Sequence, residues 1–156
     1  MKKYDVVVAF AFGLPSGLEA NMKIVRRASE LGRSLHLPVF GEKIFPKLFS
    51  NLIELAPEET GYSSTLKLVK ALSAVAKKRG WKNVLVVAQP NHAKRCIRDL
   101  KQFGFNAEAD NYFRERGMYL YDKKSLQWQT RSAWQFWLRE APLRLLPWWL
   151  YSRIAG

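Results

Sequence analysis

The sequence has very few residues that could form disulfides or bind metal ions. Cys96 is the only cysteine, and there are two histidines in 156 residues. A single cysteine excludes an intramolecular disulfide and a cysteine-based zinc cluster. No spacing typical of metal ligands is present, so we predict no metal site. One unpaired cysteine suits a reducing compartment, and we expect a cytoplasmic protein.

Long apolar runs are also missing. No uncharged apolar stretch reaches the roughly 18 residues that a membrane-spanning helix needs. The run at residues 6–12 is apolar throughout, but it is too short for a signal peptide and no cleavage motif follows it. We therefore expect this run to be a buried strand, and we predict neither a signal peptide nor a transmembrane helix.

Acidic residues are scarce, with 13 against 26 lysines and arginines, which gives a net charge of +13. From Lys67 to Lys101 there are ten basic residues and one acid, Asp99. Such a patch attracts nucleotides, nucleic acid or an anionic membrane surface. It is equally explained by solvated helix faces that keep the protein soluble. An RNA-binding role is disfavoured because Trp81 is the only aromatic residue within the patch.

Short apolar runs alternate with amphipathic helical stripes along most of the chain. Strands are predicted at residues 6–12, 36–40, 84–88, 105–109 and 118–121, and helices at residues 18–33, 63–80 and 91–103, with a short one around residues 47–55. This order predicts an α/β fold, a Rossmann-like three-layer α/β/α sandwich with a mostly parallel sheet. The length favours a single domain over residues 1–156.

Residues 130–156 form an aromatic and basic segment that is expected to be helical. Pro142 and Pro147 should break or kink it. Its tryptophans are explained by a helix that covers the sheet. The alternative is adhesion to an anionic membrane surface, which would make the protein peripheral to the membrane.

The most informative motif is the polar turn that follows the strand at residues 84–88. Gln89 and Asn91 precede a helix whose first turn carries His92 and Arg95. Ligands of parallel sheets collect at the carboxyl ends of the strands, and a helix amino end favours an anion. Arginine adds a bidentate donor, so the motif predicts a phosphate or carboxylate site. The alternative is structural: Arg95 pairs with Asp99, and His92 caps the turn.

Two further loops are candidates for ligand contact. Gly13, Ser16 and Gly17 lie in the turn after the first strand, although the spacing matches neither the dinucleotide fingerprint nor a P-loop. Glu59 precedes the hydroxyls of Ser64 and Thr65. Those hydroxyls are explained by helix capping, but Glu59 could contact a ribose or amine or act as a general base.

The chain resembles the DUF218 family. The resemblance rests on the opening buried strand, on Glu59 followed by Ser63-Ser64-Thr65, on residues 84–96 with their His-x-x-Arg, and on Phe103-Gly104-Phe105. The chain departs from the family pattern at Gly13-Leu14, at Gly41-Glu42 and after Thr65, and we expect it to differ from the family's envelope members in having no transmembrane anchor.

The resemblance implies a Rossmann-like domain whose ligand residues correspond to Gly13, Glu59, Thr65, His92 and Arg95. Gly41 would lie at the equivalent of the family's second glycine-rich turn. Family members include an S-adenosylmethionine binder and proteins of envelope integrity, so the resemblance implies S-adenosylmethionine as a candidate ligand and an envelope-related role.

Taken together, these patterns predict a protein that binds an anionic or nucleotide-like small molecule at the carboxyl edge of the sheet. Two alternatives stay open. One is an enzyme that acts on a phosphorylated or envelope-precursor substrate, with His92 and Glu59 as acid and base. The other is a nucleic-acid or membrane-surface adaptor that uses the basic patch from Lys67 to Lys101.

Overall fold

The computed structural model describes residues 3–15, 17–42 and 64–155, together with the backbone of residues 53–55. The elements in chain order are β1 (Val6–Ala9), α1 (Glu19–Leu35), β2 (Val39–Gly41), β3 (Ile53–Leu55), α2 (Thr65–Arg79), β4 (Asn83–Val87), α3 (Pro90–Gln102), β5 (Asn106–Ala109), α4 (Tyr112–Glu115), a 3-10 turn (Trp128–Thr130), α5 (Ala133–Leu145) and α6 (Trp148–Ala155). The predicted α/β class is confirmed.

The five strands form one all-parallel sheet in the order β3-β2-β1-β4-β5. The chain moves outward from β1 through β2 to β3, and later from β4 to β5 on the other side. The strand order therefore reverses between β1 and β4. In open parallel sheets, the crevice at the carboxyl end of such a switch point is where ligands bind.

Side chains of the central strands alternate between two buried layers, because successive residues of a strand point to opposite faces. Val6 and Val8 pack under α2 and α3, whereas Val7 and Ala9 pack against α1. Helices thus cover both faces, which gives the three-layer arrangement that the sequence predicts. The uninterrupted apolar run of β1 is explained by this double burial.

The ends of α2 are set by local signals that the sequence contains. Ser64 caps the helix by accepting a 3.2 Å hydrogen bond from the Lys67 N–H. Gly80 ends it in the left-handed conformation, with φ of +70°. The cap at Ser64 agrees with the predicted capping role, and the end at Gly80 agrees with the predicted helix range of residues 63–80.

Three local predictions are wrong. Residues 118–121 form no strand and cross the carboxyl edge of the sheet as irregular chain, with Leu120 at φ +52°. Ile53–Leu55 is a parallel strand rather than the end of a helix, and the preceding residues 47–52 lie outside the described residues. His36 is not in a strand, since it ends α1 in the left-handed conformation. Pairing with β2 explains the strand at Ile53–Leu55. The end of α1 at His36 is explained by local backbone bonds to Arg33 and Gly32.

The C-terminal helices pack on α3 and α2. The Arg98 guanidinium donates to the Leu143 carbonyl, and the Ser64 hydroxyl donates to the Ala155 carbonyl at 2.6 Å. Pro147 separates α5 from α6, as predicted, whereas Pro142 lies inside α5. In the part of the chain that the structure describes, none of the helices has the length and apolar character required to span a membrane.

Candidate functional site

Three of the predicted ligand residues meet at the switch point of the sheet. His92 is buried in the first turn of α3, and its Nε2 lies 3.5 Å from the hydroxyl of Thr65, the first residue of α2. Its Nδ1 lies 3.2 Å from an NH2 nitrogen of Arg95. The amino ends of α2 and α3 therefore converge on one imidazole, and each end contributes partial positive charge.

The hydrogen bond from Arg95 determines the tautomer of His92. A guanidinium can only donate, so Nδ1 must accept and the ring proton must be on Nε2. Nε2–H then points toward Thr65, at a distance that is long for a hydrogen bond. His92 therefore presents its Nε2–H donor to the switch point. The lone pair on its Nδ1 is occupied by the hydrogen bond from Arg95.

The surroundings keep this imidazole neutral. Burial lowers the pKa of His92 well below its usual value of 6.5, and the positive charges of Arg95, Arg139 and Arg144 lower it further. The rings of Phe10 and Phe12 pack beside it, with centroids at 6.4 and 6.0 Å. A neutral donor held among arginines suits the binding of an anion better than proton abstraction.

Arg95 is held by an acid that sequence reasoning missed. Its Nε lies 3.1 Å from Oε2 of Glu140 on α5, and both side chains are almost fully buried. The Arg144 guanidinium shares the same carboxylate at 3.2 Å and donates to the Asn91 carbonyl at 3.0 Å. Burial is the largest single influence on the pKa of Arg95 and lowers it, but Glu140, Tyr151 and Cys96 together raise the pKa above its ordinary value. The predicted pairing of Arg95 with Asp99 does not occur.

Asp99 instead serves the attachment of α6. Its Oδ2 accepts a 2.6 Å hydrogen bond from the Tyr151 hydroxyl, and Arg98 contacts its Oδ1 at 3.3 Å. Burial raises the pKa of Asp99, and these two hydrogen bonds partly offset the effect. The Arg98 guanidinium also stacks over the Tyr151 ring at 4.1 Å. These contacts hold α6 against α3.

Several predicted ligand residues are engaged in structure. Gln89 caps α3 by accepting from the His92 N–H at 2.8 Å, and its amide donates to the Tyr119 carbonyl. The Asn91 amide donates to the Tyr121 hydroxyl at 2.9 Å. Ser64 both caps α2 and bonds to α6. For Ser64, the capping interpretation is confirmed.

The turn at Gly13 approaches another part of the chain closely. A Cβ at Gly13 would lie 2.7 Å from the Ser125 hydroxyl and 2.8 Å from that of Thr130. The carbonyl of Gly13 accepts from the buried Asn21 amide. Phe12 lies between this turn and His92, packed against Tyr121 and Phe136. We call His92, Thr65, Arg95, Glu140 and Arg144 the His92 cluster. The turn at Gly13 is separated from this cluster by aromatic rings.

The remaining predicted residues fall at the other side of the switch point or outside the described chain. Gly41 is buried at the end of β2, in register with Ala9. The neighbouring Glu42 is also buried, and its carboxylate accepts from the Ala11 N–H at 3.3 Å. Glu59 and Ser16 lie outside the described residues, so the proposed acid–base pair of His92 and Glu59 stays a prediction.

One sequence signal could have located Glu140. It is the only acidic residue between Lys123 and Gly156, in a segment that carries six basic residues. A lone carboxylate among arginines is a natural partner for a buried cation. No comparable signal marks Ser125 or Thr130, because hydroxyls are common in loops.

The fold and the site define an α/β protein of the Rossmann-like class whose switch point carries a buried histidine beside the nearly buried Arg95. No family model matches the chain, and no curated protein or solved structure is significantly similar to it. The resemblance to the DUF218 family therefore stays a prediction. Among the described residues, no three His, Cys, Asp or Glu side chains are grouped so that they could hold a metal ion.

Proposed function

We propose that the protein binds an anionic or nucleotide-like small molecule at the carboxyl edge of the sheet. The observation that carries the proposal is the His92 cluster, in which a buried Nε2–H donor faces the amino ends of two helices. Such an arrangement stabilises a phosphate or carboxylate through oriented dipoles and hydrogen bonds.

Charge in the cluster also supports an anion. Arg95 and Arg144 both act on His92, and they share the single carboxylate of Glu140, so two positive charges face one negative charge. A phosphate-bearing nucleotide suits this surplus better than S-adenosylmethionine, whose sulfonium is positively charged. The carboxylate of S-adenosylmethionine fits the donor set, so that compound belongs in the same test.

Arg95 is already paired with Glu140, so a bound anion would share the Arg95 guanidinium with this carboxylate. Because Glu140 bridges Arg95 and Arg144, an incoming phosphate could take up donors of both guanidinium groups when the carboxylate shifts.

The proposal includes a cytoplasmic location, which a single buried thiol at Cys96 suits. Burial raises the pKa of Cys96 well above its ordinary value, which makes the thiol unreactive.

Isothermal titration with ATP, S-adenosylmethionine and inorganic phosphate tests the proposal. We expect ATP to bind, and Arg95→Gln to weaken binding about tenfold or more, because one charge-assisted hydrogen bond is lost. Lys94→Gln is the matched control, since it removes the same charge from an exposed neighbouring position. Equal affinity in Arg95→Gln and Lys94→Gln would exclude the site.

The variant Glu140→Gln should change the affinity for ATP in the opposite direction from Arg95→Gln. Removing the carboxylate frees two guanidinium groups for the ligand, so affinity for ATP should rise while the protein itself becomes less stable. A fall in ATP affinity, with circular dichroism showing an intact fold, would contradict the proposed role of the arginines. Failure of all three ligands to bind would contradict the proposed function as a whole.

A further inference from the structure

The outer face of α5 is apolar, which is the reverse of what a peripheral helix of a globular protein normally shows. Trp134, Leu138 and Leu145 are 64, 60 and 85% exposed. Their spacing of four and seven residues places them on one stripe of the helix. The opposite, inward face carries Phe136 and the charged Glu140, both almost fully buried.

The exposed apolar surface continues on α6. Trp149 and Ile154 are each 62% exposed. The inward side of α6 is fixed by the bond between Tyr151 and Asp99. The C-terminal helices are thus anchored through polar contacts and turn large apolar side chains outward. We call the residues Trp134, Leu138, Leu145, Trp149 and Ile154 the outer C-terminal face.

Basic groups accompany this face, and no exposed carboxylate lies in the same segment. Glu140 is the only acid from Lys123 onward, and it is buried against Arg95. The Arg144 guanidinium lies 4.6 Å from the centre of the Trp137 ring, and that of Arg153 lies 5.9 Å from the Trp149 ring. The surface therefore combines indoles, aliphatic side chains and positive charge.

From this combination we infer that the outer C-terminal face docks on an anionic phospholipid surface. Indoles prefer the headgroup region, the leucine and isoleucine side chains gain by entering the acyl boundary, and arginines pair with lipid phosphates. The 13 residues of α5 extend for roughly 20 Å, which is shorter than a bilayer core of about 30 Å. The helix therefore lies in the plane of the interface.

Charge complementarity favours this occupant over the alternatives. In a dimer formed through this face, each chain would contribute a segment with six basic residues and one buried acid. The two positively charged segments would repel each other, and each protein has a net charge of +13. Nucleic acid would satisfy the arginines and stack on the indoles, but it offers no apolar medium for Leu138, Leu145 or Ile154. An anionic bilayer accommodates both kinds of side chain.

Vesicle co-sedimentation tests the inference with the full chain. We expect binding to phosphatidylglycerol vesicles, weak binding to phosphatidylcholine vesicles, and a blue shift of tryptophan emission with the former. The triple variant Trp134→Ser, Leu138→Ser, Leu145→Ser should bind about tenfold more weakly or worse, because it removes most of the inserted apolar area. These side chains are exposed, so the fold should be retained, and circular dichroism checks it.

Two controls separate the face from other surfaces. Leu35→Ser with Tyr119→Ser removes partly exposed apolar side chains elsewhere and should leave binding unchanged. Lys77→Gln with Lys78→Gln lowers the charge of the basic patch and should have a smaller effect than the triple variant. An equal or larger effect of the lysine variant would overturn the inference.

Three other results would also overturn it. The first is an absence of binding to phosphatidylglycerol vesicles, and the second is unaltered binding by the triple variant. The third is a wild-type dimer in light scattering that the triple variant converts to a monomer, because the face would then be covered by a second copy. None of these results bears on ATP binding at His92, so the two proposals fail independently.

Discussion

Arg95 of α3 and Glu140 of α5 form a buried ion pair that joins the candidate site to the C-terminal helices. Their Nε and Oε2 atoms are 3.1 Å apart, and Arg144 shares the carboxylate. One acid thus compensates two guanidinium groups where the sheet presents its carboxyl edge. The same helix, α5, carries three residues of the outer C-terminal face, Trp134, Leu138 and Leu145.

Glu140→Gln should destabilise the protein by about 3 kcal/mol, because it leaves buried guanidinium charge without its carboxylate. The measurement is the free energy of unfolding from urea denaturation at neutral pH. Glu115→Gln, at an exposed position on α4, is the control and should change stability by less than about 0.5 kcal/mol. Similar values for the two variants would show that the pair contributes little.

The protein should lose stability as the pH falls below about 6.5, through His92. The pKa of His92 is lowered well below 6.5 in the folded state by burial and by nearby arginines. Below 6.5 the unfolded chain therefore binds more protons than the folded one, and stability falls with decreasing pH. Thermal unfolding of the wild type and of His92→Gln, measured from about pH 7.5 to 5, checks this.

The His92→Gln variant should be less stable at neutral pH, but its stability should change less steeply over this range, because glutamine does not titrate. Equal pH dependence in the two proteins would assign the acid sensitivity to other groups. It would also contradict the neutral state of the imidazole on which the proposed ligand site depends.

Gly13→Ala should destabilise the protein by about 2 kcal/mol. Gly13 has φ of +92°, and a Cβ there would approach the hydroxyls of Ser125 and Thr130. Gly17→Ala in the same loop is the matched control, since its Cβ would meet nothing within 4 Å. We expect the control to be neutral in urea denaturation. A neutral Gly13→Ala would mean that Ser125 and Thr130 do not pack on this turn.

Tyr151→Phe should destabilise the protein by about 2 kcal/mol at neutral pH, because the buried Asp99 carboxylate loses its 2.6 Å hydrogen bond. Burial already raises the pKa of Asp99, so its ionised form costs stability as the pH rises. The loss should shrink when the pH is lowered into the acid range, because protonation removes the buried charge that the hydrogen bond stabilises. Tyr119→Phe, with a partly exposed ring, is the control for urea denaturation at both pH values. A pH-independent loss would argue against an ionised Asp99.

Burial patterns in the sequence were sufficient to predict the α/β class. The apolar run of β1, the stripe of α2 and the caps at Ser64 and Gly80 are local features, and each depends on residues within a few positions of one another. Local features also predicted that His92 and Arg95 would lie at the amino end of a helix after a strand. These conclusions needed no knowledge of distant contacts.

Tertiary structure alone decided what those residues contact. Glu140 lies 45 positions from Arg95, and Ser125 lies 112 positions from Gly13. Neither contact leaves a periodic signal, because each joins single residues on different elements. For the same reason residues 118–121 have the composition of a strand but cross the sheet edge instead. The sequence by itself determined that the central strands are buried and where α2 begins and ends. Only packing between distant segments determined the partner of each buried charge, since a buried ion must be compensated by whichever group the fold brings near.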